Sequence, residues 1–147
     1  MKADLSGNIL VMCHSDPASD PRPSRVINCL RGSHKITVAG TVRYNTDWSR
    51  GYIIPELSAK SFAGRLSNAF NYKLYRFERV MWPPAMKDLR DELTKREFDL
   101  IITHDLSLVP LAVGVKKKAK ILFDAREYYP RHFEDRFLWR FFFLLFI

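Results

Sequence analysis

FDLIITHDLSLVPLAVGVKKKAKILFDA, residues 98–125, holds two short apolar runs, one closing in His104-Asp105 and the other in Asp124-Ala125. Between them lie a short helical pattern with a proline inside it (106–115) and a lysine-rich turn. Neither run alternates apolar with polar, as a strand with one wet face would. Uninterrupted apolar runs separated by helices belong to a parallel sheet covered on both faces. In such sheets the ligand crevice lies beyond the carboxyl ends of the strands. The histidine and acids that close these two runs therefore stand where chemistry is expected.

The same alternation extends outward along the chain. NILVM (8–12) and HKITVAG (34–40) read as strands and GYIIPE (51–56) as a weaker one, so strands are expected near 8–12, 34–39, 98–103 and 119–123. PSRVINCLR (23–31) has Val26, Ile27 and Leu30 on one helical face, proline at its start and Gly32 just past its end. A long helical stretch fills 59–82 until Pro83-Pro84 break it, and AMKDLRDELTKRE (85–97) is an amphipathic helix. The expected architecture is an open, doubly wound α/β domain with helices on both faces.

At 147 residues the chain is long enough for a single domain, 1–147, with a real core, and 47% apolar content excludes a disordered chain. The formal net charge of +8 favours anionic partners. Cys13 and Cys29 form no CxxC and no metal spacing, which reads as two buried reduced thiols in a reducing compartment. MKADLSGNILVM has too short an apolar run for a signal peptide. RFLWRFFFLLFI falls well short of a membrane span and stops without a cap, so the chain reads as cut off in mid-element.

No GxGxxG follows the first strand and no Walker A sequence occurs, which argues against a dinucleotide dehydrogenase or a P-loop enzyme. In their place stands HSDPASDPRPSR (14–25). His14 and Asp16 close the first strand, and Arg22 and Arg25 flank a helix entrance that suits a phosphate or carboxylate. The same loop also reads as a solvated, proline-stiffened turn whose acids cap the helix. His104 at a strand end can serve as general base or hold a substrate hydroxyl, with Asp105 orienting it. Equally, Asp105 can be a helix N-cap and His104 a satisfied structural histidine. No pair of histidines has ligand spacing, so no metal site is expected.

Between Ser61 and Trp82, residues Phe62, Leu66, Phe70, Leu74, Phe77 and Met81 form a core stripe. Arg65, Tyr72, Tyr75, Arg76 and Arg79 fall on the other side. Cations interleaved with tyrosines fit an anionic membrane surface, or a solvated basic helix. Nucleic acid is not expected, since KKKAK (116–120) is the densest basic run and no recognised nucleic-acid motif is present.

Residues 98–130, FDLIITHDLSLVPLAVGVKKKAKILFDAREYYP, resemble a signature of family 4 glycosyltransferases of the two-domain GT-B fold: an apolar strand ending in His-Asp, a proline-bearing helix, a lysine-rich turn, and a buried strand ending in Asp-Ala-x-Glu with aromatics. DPRPSRVINCLRGSHKITVAG (20–40) resembles the family's first helix and second strand, and RFLWRFFF (136–143) a later helix. The three segments cover about half the chain. Arg126 stands where the family often has histidine, and the double glycine many members carry after strand one is absent.

The resemblance implies a Rossmann-like, acceptor-side N-terminal domain, with Asp124 and Glu127 at an interdomain cleft and His104 contacting the reacting sugar. It also implies a peripheral, cytoplasmic enzyme that builds cell-surface polysaccharide or glycolipid from a nucleotide-sugar donor and a saccharide or lipid-linked acceptor. No cofactor is implied. The family's donor domain, with its paired-glutamate motif, has no counterpart here, so the chain alone is expected to be inactive. The competing expectation is a non-catalytic basic module that grips an anionic membrane or nucleic acid.

Overall fold

The computed structural model describes residues 6–47, 49–55, 67 and 84–125. Five strands, β1 (Asn8–Met12), β2 (Lys35–Gly40), β3 (Ser49–Ile53), β4 (Leu100–Thr103) and β5 (Lys120–Phe123), form one sheet in the order β3-β2-β1-β4-β5. Every pairing is parallel. Strand order reverses at β1, which has β2 on one side and β4 on the other. Met12 is level with both Ala39 and Thr103, so the ends of these central strands lie abreast.

Successive side chains point to opposite faces, and the apolar runs of β1, β2 and β4 are buried on both sides, whereas β5 is not: Leu122 is 52% exposed, which corrects the expectation of a strand buried on both faces there. Ile9 and Val11 of β1 join Ile36, Val38 and Ile102 under Ile27 of helix α1 (Pro21–Leu30). Leu10 and Met12 join Ala39, Tyr52 and Ile101 on the other face. There they meet Met86, Leu89 and Leu93 of α2 (Pro84–Thr94) and Leu111, Ala112 and Val115 of α3 (Val109–Val115). Burying a leucine such as Leu93 contributes roughly 1.5–3 kcal/mol.

Local chemistry moves several expected boundaries. α1 begins two residues early because the Asp20 side chain caps it, accepting from the Arg22 N–H at 3.1 Å, and Pro21 opens the first turn, where a missing N–H costs nothing. It closes without a left-handed glycine: the Arg31 N–H bonds the Ile27 carbonyl and no glycine among the described residues has positive φ. The stretch 106–115 divides into a 3-10 turn (Leu106–Leu108) and α3. β3 runs 49–53 instead of 51–56, its start fixed by pairing with β2. Gly51 lies so close to Tyr44 that an added Cβ would sit 2.5 Å from the Tyr44 nitrogen.

Of the two cysteines Cys13 is buried and Cys29 is exposed, correcting the expectation of two buried thiols. Cys29 lies two residues past buried Ile27, about 200° further round the helix, and so on its outer face. Among the described residues, no helix is long and apolar enough to cross a membrane. The expected helix from Ser61 to Trp82, with Arg65, Tyr72, Tyr75, Arg76 and Arg79, lies outside the described residues apart from Ser67, as do Arg126, Glu127 and the segment 136–143.

Candidate functional site

Three strands deliver polar residues to one place. The His104 N–H donates to the Met12 carbonyl at 3.0 Å and the Asp124 N–H to the Thr103 carbonyl at 2.9 Å, so each ladder runs one residue beyond its strand. Thr103 is level with Phe123, and the next pair is His104 beside Asp124. Both side chains then share the α1 face with Ile102. His104 Nδ1 lies 3.0 Å from Asp124 Oδ2.

Among the described residues, His104 makes no hydrogen bond with Asp105. The Asp105 carboxylate accepts the His14 backbone N–H at 2.7 Å, tying the exit of β4 to the exit of β1. Asp105 occupies the N-cap position of the 3-10 turn, yet its side chain makes no capping hydrogen bond. The acid that holds His104 is Asp124.

Arg22, at the start of α1, reaches the same acid. Its Nη1 is 3.7 Å from Asp124 Oδ1 and donates to the Ala125 carbonyl at 3.3 Å. Arg25 does not join them, because its Nε donates back to the Pro21 carbonyl at 3.0 Å. The Asp16 carboxylate is taken up in shaping its own loop, accepting from the Ala18 N–H at 3.0 Å and the Ser19 hydroxyl at 3.1 Å. That loop packs over the exit of β2: the Thr41 N–H donates to the Ser15 carbonyl at 3.0 Å. A Cβ on Gly40 would meet Pro17 Cγ at 2.4 Å.

The imidazole of His104 is 0% exposed, where an open crevice would have left it accessible. In a neutral ring that donates Nδ1–H to Asp124, Nε2 keeps its lone pair. Among the described residues, Nε2 is buried and has no hydrogen-bond partner, and the same holds for His14 Nε2 and Ser15 Oγ. Leaving such a group unpaired costs about 1–3 kcal/mol, which a ligand hydroxyl or a water would recover. Burial holds the His14 imidazole below its ordinary pKa, and the Asp105 carboxylate partly offsets this.

The arrangement can accept a proton or a hydroxyl hydrogen bond at His104 Nε2, with Asp124 fixing the ring. Among the described residues, no group of three or more His, Cys, Asp or Glu could hold a metal ion. Sequence reading placed His104, His14, Arg22 and Asp124 at strand or helix ends but did not pair them. It also missed Gly40; the pairing signal was strand parity. Compared with known proteins, the chain matches no family model and no curated sequence.

Proposed function

We propose that the chain is the acceptor-side, N-terminal domain of a glycosyltransferase resembling family 4, with a doubly wound sheet of GT-B type. The reaction moves a sugar from a nucleotide-sugar donor to a hydroxyl on a saccharide or lipid-linked acceptor. The setting is cell-surface polysaccharide or glycolipid synthesis, peripheral to the cytoplasmic side of a membrane. The observation that carries this reading is the His104–Asp124 pair at the carboxyl edge beside the strand-order reversal, with Nε2 left without a partner among the described residues.

His104 Nε2 receives a hydrogen bond from a reacting hydroxyl or takes its proton. Asp124 holds the ring in the tautomer that makes this possible, and Arg22 steadies Asp124. In the family that the chain resembles, donor binding belongs to a second domain. The test uses a polypeptide that joins this domain to its donor-binding partner. His104→Ala lowers kcat per folded molecule by roughly 10²- to 10⁴-fold, well beyond the loss of folded protein that removing a buried side chain brings. Activity lost only in proportion to unfolded protein would make the histidine structural and remove the reading.

A further inference from the structure

The opposite edge of the sheet, where the strands begin, carries a cavity of about 430 Å³ lined by Asn8, Lys35, Thr37, Arg50, Arg96 and Phe98, among others. Its cations come from three separate elements. Lys35 and Thr37, two apart on β2, share a face, and Arg50 of β3 is level with Thr37. Arg96 follows α2, and its Nε donates to the Tyr52 hydroxyl at 2.8 Å. The guanidinium carbons of Arg50 and Arg96 both stand 5.7 Å from the centre of the Tyr52 ring. One aromatic ring thus fixes two like charges near each other.

Among the described residues, no carboxylate comes within ion-pair distance of Lys35, Arg50 or Arg96. The neighbouring acids have nearer partners: Glu92, which Arg50 and Arg96 also influence, pairs with Lys95 at 2.8 Å, Asp91 pairs with Arg90 at 2.7 Å, and Asp99 accepts the N–H of Asn8, a lining residue, at 2.7 Å. Glu97 is the carboxylate in the lining, so the lining residues themselves carry three cations less one anion, a net +2. A carboxylate ligand would neutralise half of that. A phosphate monoester, with about −1.5 to −2 at neutral pH, matches it. Guanidinium groups also suit phosphate oxygens through paired N–H donors. The cavity volume lies within the usual range for small-ligand sites, roughly 300–1,000 Å³, and exceeds what a bare phosphate fills.

We propose that this cavity binds the phosphate or diphosphate group of a larger molecule, at a site separate from the His104 edge. The inference does not depend on the glycosyltransferase reading, because no residue is shared between the two edges. The group reaches the cavity on a soluble nucleotide or on a phosphorylated lipid headgroup.

The experiment follows backbone amide NMR shifts of the 147-residue chain while inorganic pyrophosphate is added. Saturable shifts are expected at Thr37, Arg50, Arg96 and Phe98. Arg50→Gln, on the exposed edge strand, raises Kd by about 10-fold or more, since a charge-assisted hydrogen bond contributes about 1.5–3 kcal/mol. Arg96→Gln does the same, with thermal melts reporting any loss of its bond to Tyr52. Lys95→Gln, a cation outside the cavity, leaves Kd within about 2-fold, the scale of an exposed charge.

Two further arms separate the sources: a nucleoside diphosphate in solution, and phosphatidylinositol phosphate vesicles against neutral phosphatidylcholine vesicles. Whichever arm weakens in Arg50→Gln identifies the carrier. Absence of saturable shifts at these residues in millimolar pyrophosphate would overturn the site. So would an equal loss in Lys95→Gln, which would reduce the effect to general charge attraction.

Discussion

At the carboxyl ends of the strands, His104 is buried and held by Asp124, which Arg22 meets from the other side. At the amino ends, Lys35, Arg50 and Arg96 line a cavity, and none of them forms an ion pair among the described residues. Because all five strands run the same way, each edge collects a different set of chain segments. The exits carry His-Ser-Asp, His-Asp and Asp-Ala, whose short polar side chains knit strand to strand. The entries carry long cationic side chains that reach outward. A buried, paired edge acts through specific hydrogen bonds at fixed atoms. An exposed, unpaired edge acts through its field, which salt weakens.

Two glycines offer the sharpest structural break of this comparison. Gly40 at the exit of β2 is crowded: an added Cβ would stand 2.7 Å from Pro17 Cδ and 3.0 Å from the Ser15 carbonyl oxygen. Gly32, at the entry to β2, has nothing within 4 Å of the same position. Gly40→Ala is expected to destabilise by about 1–3 kcal/mol, the usual cost of overpacking. Gly32→Ala should be neutral or stabilise by up to about 1 kcal/mol. Urea unfolding of both variants checks this. Equal midpoints would mean that the 14–20 loop does not seal the carboxyl edge.

A smaller effect sharpens the same contrast through pH. His14 has its folded-state pKa lowered by burial, against the pull of Asp105. As pH falls below about 6.5, the unfolded chain takes up this proton before the folded one does. The contribution of His14 to stability is therefore complete above about pH 6.5 and declines as pH falls toward its folded value. His14→Gln should flatten that part of the stability profile, measured as the wild-type-minus-variant difference in urea midpoint at about pH 7.5 and about pH 5.5. A difference that does not change with pH would place His14 in solvent.

Apolar runs such as NILVM revealed the sheet, because a strand buried on both faces has to be apolar throughout. β3 was harder to read: Ser49, Arg50 and Gly51 are in the strand through pairing with β2, and nothing in their hydropathy announces it. The site was legible as residues but not as pairs. His104-Asp105 invites an acid beside its histidine, yet among the described residues the two make no hydrogen bond with each other. His104 meets Asp124 one strand over, and Asp105 meets the His14 backbone. Only the register, which follows from the whole sheet, decides which acid orients which base. The cationic cavity was illegible for a similar reason, since Lys35, Arg50 and Arg96 are far apart in sequence and converge only through strand order.

The role of the carboxyl edge turns on where His104 carries its proton. Nitrogen-15 NMR correlation through the ring protons of His104 reads this directly on the 147-residue chain. At neutral pH the expected result is the Nδ1–H tautomer, with Nε2 unprotonated. Asp124→Asn can turn its amide toward Nδ1, and should shift the ring toward Nε2–H. If the wild-type protein shows Nε2–H, or a ring unaffected by Asp124→Asn, then Asp124 does not orient His104 and the carboxyl edge is not organised for chemistry.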